Sequence, residues 1–336
     1  MLRGRGAAPL DRDGAAGHIL KAAALLLLGA ASALAASSLR SPPLAELRWT
    51  EPTLALDAAT RQPPECLTLP SDPAERARIE VGRAAFRTPL LLGGQAARLG
   101  LSCESCHANG RDNPAFRFPG LSGAPGTADV TAPLMSARRG DEVFDPRPIP
   151  DLAVPGKVGR APGDPALGAF IRGLIVDEFD GREPQPAVLE GLVAYVRAIN
   201  AKACPAHRDE AVSASATADA AVRAVAAARE RLTAGDRESG RLMLGAARSL
   251  LGRLAERYAG AAKPRARLLA ADAELRSLMR KLDERGGGED RAILAWLRRA
   301  DRWRAPLTRG EPLSLYNRVR LAEALGPAST ESQSTR

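Results

Sequence analysis

Residues 99–113 read LGLSCESCHANGRDN. Cys103 and Cys106 are separated by two residues, and His107 follows the second directly. The chain has 336 residues but only 4 Cys and 3 His, so a Cys-x-x-Cys-His run reflects a chemical requirement rather than abundance. The other two cysteines, Cys66 and Cys204, lie far from this pair and from each other. What such a cluster can do depends first on the compartment.

Arg3, Arg5, Arg12 and Lys21 precede an apolar stretch from Ala22 to Ala35 that ends in Ala33-Leu34-Ala35. Basic residues, a short apolar run and small residues at its end are the layout of a secretory signal, expected here over residues 1–35. The run is shorter than the roughly 20 apolar residues of a spanning helix. Cleavage after Ala35 is therefore expected, while an uncleaved signal would act as an N-terminal membrane anchor. The alanine- and arginine-rich composition suits a bacterial chain exported to the periplasm, where disulfides persist.

The composition changes near residue 207. From Arg61 to His207 there are 17 basic and 17 acidic residues and all six phenylalanines, whereas from Arg208 to Arg336 there are 25 basic and 17 acidic residues and no Phe. The expected organisation is an extended lead-in over 36–64, a domain over 65–207, a basic α-helical domain over 208–326 and a disordered tail over 327–336. In the lead-in, Trp49 is expected to pack on the domain behind it. SDPAERARIEVGRAAF (71–86) predicts a helix with Asp72 as cap, Pro73 in the first turn and Glu75 completing a capping box. PQPAVLEGLVAYVRAIN (184–200) places Val188, Leu192, Tyr195, Val196 and Ile199 at helical spacing. Between them, NPAFRFPGLSGAPGTADV (113–130) and DPRPIPDLAVPG (145–156) are too rich in Pro and Gly for long regular elements. The second half predicts helices over 214–234, 236–259, 264–285 and 289–302, with a short one over 315–325. Met243, Ala247, Leu250, Leu251, Leu254 and Tyr258 form one apolar stripe, and Leu268, Leu275, Met279 and Leu282 another, each wanting a neighbouring helix.

Cys-x-x-Cys-His is the attachment sequence of c-type haem: the two thiols form thioethers to the vinyl groups, and the histidine binds iron from the same side. A thioredoxin-type pair would follow a buried strand in a βαβ pattern, and the ARLGLS before Cys103 shows no such alternation. A zinc site would need a second ligand pair, which Cys66, Cys204 and His207 do not supply at the usual spacing. One covalent haem c is therefore the expected cofactor, held by Cys103 and Cys106 with His107 as axial ligand.

Cys66 and Cys204 flank this segment and are expected to form a disulfide, which on the chain-entropy account would stabilise by up to about 5 kcal/mol. Two free thiols are the alternative, and a Cys204–His207 metal site a third reading. Three arrangements compete for the far side of the iron: Met135 in irregular chain, His207 as a second histidine, or water and an open site. Met135 is the expected sixth ligand because methionine raises the potential. Met243 and Met279 read as core fillers. Arg111 and Arg117 are candidates to pair with the haem propionates, with ordinary solvated arginines as the alternative. Pro114 or a nearby carbonyl is the expected acceptor for the far nitrogen of His107.

VGRAAF (81–86), LGLSCESCH (99–107), FPGLSG (118–123), RPIPDL (147–152) and EFDGREPQPAVLEGLVAYVRAI (178–199) together resemble c-type cytochromes, and more closely the haem modules of the di-haem cytochrome c peroxidase superfamily. The resemblance covers about residues 75–200. It implies a mainly α fold, a cytochrome c-like haem domain followed here by an α-helical bundle. It also implies that the first and last helices cross beside the haem where a small residue meets an aromatic, roles that Gly82 and Tyr195 would fill. Peroxidases of that superfamily use two haems, whereas this chain has one motif, and residues 208–336 contain neither Cys nor His. The expected function is electron transfer by a mono-haem c-type cytochrome between redox partner proteins. A peroxidase-like enzyme or subunit with an open haem site, and a haem-containing sensor or scaffold, are the alternatives. The net +8 of residues 208–336 is expected of an ordinary solvated bundle surface, with an acidic protein or an anionic membrane surface as the alternative partners it would favour; nucleic acid is not an expected partner.

Overall fold

Asp72 and Pro73 start the first long helix as their chemistry predicts. The Asp72 carboxylate accepts from the Ala74 amide at 3.1 Å, and the helix runs Pro73–Phe86, but Glu75 does not close the expected capping box. The computed structural model describes residues 44–205, 209–284 and 288–326; the signal segment 1–35, His207 and the tail 327–336 lie outside them.

Before this helix stand α1 (Ala55–Thr60) and β1 (Arg61–Gln62), and the helix itself is α2. Short helices α3 (Gly94–Arg98) and α4 (Cys103–Cys106) follow, then β2 (Thr127–Ala128), which pairs antiparallel with β3 (Arg147–Pro148). Helix α5 (Ala166–Gly173) runs into a π-helical turn at Leu174–Glu178 and is followed by α6 (Pro186–Ala198). Strand β4 (Glu210–Ala211) returns to pair antiparallel with β1. The chain ends in four long helices, α7 (Ala214–Thr233), α8 (Arg237–Arg257), α9 (Ala262–Asp283) and α10 (Glu289–Gly310), and the short α11 (Arg318–Leu325). The fold is mainly α. No helix of the described residues is long and apolar enough to cross a membrane.

Both apolar stripes of the second half are buried, Met243 and Met279 among them. α2 packs against α6 and also against α7 and α8, so one hydrophobic core runs from Ile79 and Phe86 through to Trp296 and Leu307. α10 continues past its expected end at Arg302, through Pro306, because Trp303 and Leu307 fall on the face already buried by Ile293 and Trp296. A proline there removes one N–H, and the burial of two large side chains outweighs that loss.

The lead-in corrects an expectation. Residues 45–60 are not extended: two 3-10 turns, Ala45–Leu47 and Pro52–Leu54, run into α1. Leu44, Leu47, Leu56 and Ala59 bury themselves with Leu321 of α11, which ties the two ends of the described chain together. Trp49 packs as expected, its ring 4.2 Å from that of Phe118 and its Nε1 donating to the Leu99 carbonyl. α5 is the other departure, a helix between the two expected for the first half, where the sequence carries little helical signal.

α2 and α6 cross backbone to backbone. A Cβ placed on Gly82 would sit 1.9 Å from the carbonyl oxygen of Gly191, so the small residue meets a second glycine rather than an aromatic. Tyr195 lies one turn farther along α6, fully buried, with its ring 5.1 Å from Phe86. Its hydroxyl donates to Glu65 at 2.8 Å. The same carboxylate accepts from Arg83 Nε at 2.9 Å and Arg87 Nη2 at 2.8 Å, so Glu65 binds an arginine of α2, the arginine that caps its C-terminus and the tyrosine of α6. Burial pushes the Glu65 pKa up, but the Arg87 and Arg83 guanidiniums outweigh it and hold the carboxyl below its ordinary 4.5.

Two outcomes follow for stability. Gly82→Ala forces the crossing apart and should cost about 3 kcal/mol in denaturant unfolding. Glu65→Gln leaves buried arginines short of an anion and should cost about 3 kcal/mol at neutral pH. Because the folded Glu65 pKa is depressed, its contribution is complete above the ordinary carboxylate value and is lost as pH falls through the folded one. The gap between Glu65→Gln and wild type should therefore narrow on acidification below 4.5.

Candidate functional site

The Cys103–Cys106 helix is a single turn fixed at both ends. Ser102 and Ser105 form a reciprocal cap at its start, with Ser105 Oγ accepting from the Ser102 amide at 3.1 Å. At its end the His107 amide donates to the Cys103 carbonyl at 2.8 Å. Asn109 and Gly110 then take the left-handed conformation, φ +50° and +72°, and turn the chain sharply. Asn109 is held there on three sides: its amide donates to Glu104, its side-chain Nδ2 to the Pro63 carbonyl, and its Oδ1 accepts from Arg87. A Cβ on Gly110 would lie 2.3 Å from Ile199 Cδ1, so that methyl would have to move, and the left-handed backbone there would strain any other residue.

Within this frame Cys103 and Cys106 are free thiols one turn apart, and His107 follows them with its ring 6.3 Å from Phe86. All three residues keep some surface contact with solvent, but the protein packed around their reactive atoms desolvates them. Burial pushes both thiols up to about 12, the reverse of the lowered pKa that activates a disulfide-exchanging pair. Burial also pushes His107 down to about 4, against the opposing hydrogen bond to Pro150. Among the described residues no group of three His, Cys, Asp or Glu side chains converges into a cage for a bare metal ion.

The His107 ring is oriented by Nδ1, which lies 3.0 Å from the Pro150 carbonyl oxygen. A carbonyl only accepts, so Nδ1 carries the proton, and in the neutral ring Nε2 is left as a lone-pair donor. The acceptor is thus Pro150, in the RPIPDL segment, rather than Pro114, the prolyl carbonyl nearer in sequence.

The next residue, Asp151, extends the arrangement. Arg111 grips its carboxylate in two-pronged fashion, Nε at 2.7 Å and Nη2 at 2.6 Å. Its remaining Nη1 lies 3.2 Å from Cys66 Sγ and 3.3 Å from Cys204 Sγ. Those two sulfurs are bonded to each other at 2.10 Å, the disulfide expected from the sequence. The bridge, Arg111, Asp151 and Pro150 therefore form a continuous support behind the histidine. Arg117 pairs with Glu51 at 2.8 Å while half exposed. Both arginines considered for haem propionates are thus engaged by carboxylates of the chain itself.

Met135 is buried, 1% exposed, in the same apolar cluster as Phe116, Phe118 and Leu121. The residues after it are anchored to the π-helical turn. Ser136 Oγ donates to the Asp177 carbonyl at 2.5 Å, the Ala137 amide to Asp180 at 3.1 Å, and Arg139 lies 3.4 Å from Glu178. His207, the other side chain considered for the iron, falls outside the described residues. Pro150, Asp151 and the π-turn were missed by sequence reasoning; the RPIPDL string contains the first two but named no acceptor.

Arg111→Gln should lower stability by about 2 kcal/mol through loss of charged hydrogen bonds. Combined with Cys66→Ser and Cys204→Ser, its effect should be non-additive by at least about 0.5 kcal/mol, since the variants remove two ends of one contact; thermal unfolding of the four proteins in that cycle checks it. Comparison with protein-family models, curated proteins and solved structures finds no match to this chain.

Proposed function

We propose that this chain is an exported mono-haem c-type cytochrome, in which a cytochrome c-like domain over residues 65–207 carries single electrons between redox partner proteins. The observation that carries the reading is His107. Its Nδ1–H is committed to Pro150, which leaves Nε2 as the iron-binding atom, and two thiols stand one helical turn before it. That donor set fits a covalently attached haem, because a second-shell acceptor on the far nitrogen is what fixes the ring of a metal-binding histidine.

Haem bound here supplies a one-electron iron couple. The chain's own residues do the rest. Cys103 and Cys106 anchor the group, His107 ligates it, and Pro150 holds the imidazole in one tautomer. Met135 is the proposed sixth ligand, its loop fixed by the Ser136, Ala137 and Arg139 contacts.

The test is the optical spectrum of protein made in a host that attaches haem c. Wild type should give a pyridine haemochrome spectrum with pigment that resists acid extraction, and Cys103→Ser with Cys106→Ser should leave no covalently held pigment. Met135→Ala should abolish the long-wavelength band of a methionine–iron bond. Wild-type protein with a high-spin spectrum and hydrogen-peroxide turnover would instead assign the chain to a peroxidase-like activity.

A further inference from the structure

α10 buries one face, formed by Ile293, Trp296, Ala300, Trp303 and Leu307. Arg291, Arg298, Arg302 and Arg309 are spaced seven, four and seven residues apart. At 3.6 residues per turn they fall within about 40° of one another on the side opposite the buried face, along about 27 Å of helix. All four are exposed. Among the described residues none of the four guanidiniums has an ion-pair or hydrogen-bond partner, whereas those of Arg299 and Arg304 on the flanks of the same helix are paired with Glu274 and with Asp219 and Asp301. The positions between the arginines on this face are Ala295 and Ala305, so no carboxylate interrupts the row.

The chemistry of the row selects its occupant. A specific protein partner is gripped by aromatic and apolar anchors at the centre of an interface, with charge at the rim, and this face offers only alanine between its charges. A straight row of guanidiniums with nothing to insert matches instead a flat surface of diffuse negative charge whose oxygens accept from each fork. We infer that this face of α10 docks peripherally on the headgroups of anionic phospholipids, held by charge rather than by insertion. The inference does not depend on haem. It would place an electron-carrying protein at a membrane surface without using the N-terminal apolar segment.

The test is sedimentation of the full chain with vesicles of phosphatidylcholine alone and of phosphatidylcholine mixed with phosphatidylglycerol. Any apolar insertion by the N-terminal segment contributes to both compositions, so the difference between them isolates charge. Wild type should prefer the anionic vesicles and lose that preference at high salt. Each Arg→Gln in the row should weaken binding about fivefold, and Arg291→Gln/Arg298→Gln/Arg302→Gln/Arg309→Gln should abolish the preference. The control Arg78→Gln/Lys157→Gln/Arg182→Gln/Lys202→Gln removes the same charge from exposed positions outside the four long helices and should keep most of it. The inference is overturned if wild type shows no preference, if the single variants leave binding unchanged, or if the control loses as much as the row variant. Binding to soluble polyglutamate without any vesicle preference would overturn it in favour of an acidic protein.

Discussion

The structure turns on the contact of two backbones at Gly82 and Gly191. A Cβ on either residue would collide with the other helix, at 1.9 Å from Gly191 O or 2.8 Å from Gly82 N. Glycine at both positions lets α2 and α6, far apart in sequence, lie against each other with no side chain between them. Everything at the two ends of this segment follows the crossing. Leu67 pairs with Ile199 in an isolated antiparallel bridge, the Cys66 and Cys204 Cα atoms come within 4.4 Å, and Glu65 reaches both helices at once. The disulfide, the bridge and the Glu65 cluster close the same loop by covalent, backbone and ionic means.

Within that loop, a chain poor in regular structure places one imidazole with care. Left-handed backbone at Asn109 and Gly110 folds the chain back after His107, Asn109 ties the turn to α2 and to Pro63, and Pro150 returns from the far side to fix Nδ1. Asp151 and Arg111 then connect this support to the disulfide. A histidine oriented in this way by its second nitrogen is prepared to ligate at the other. The helical half contributes a different property. It shares the hydrophobic core of α2 and carries the arginine row of α10 on its exposed side.

Much of this was legible in the sequence where local chemistry decides the outcome. The Asp72–Pro73 start, the long helices of the second half and the apolar stripes through Met243 and Met279 follow from periodicity and capping. Of the features set by distant pairing, the Cys66–Cys204 bridge followed from the cysteine count, but the hydrogen-bond partners did not. The acceptor for His107 lies 43 residues away and the partner of Tyr195 lies 130 residues away, separations at which no spacing rule operates, so the prolyl carbonyl nearer in sequence was the wrong choice. The lead-in resembled extended chain because its helical turns are short and gain their stability by burying Leu44, Leu47 and Leu56 against Leu321. α5 was hidden by Gly168 and by the prolines before it. Arg111 was judged by its nearness to the motif, and the partner that holds it, Asp151, is brought in by the fold.

The central claim, one haem joined to the chain through Cys103 and Cys106, is met most directly by the intact mass of the purified protein under denaturing conditions. Protein from a host equipped for haem attachment should be heavier than the bare polypeptide by one haem. A mass equal to that of the polypeptide alone from the same host would contradict the account.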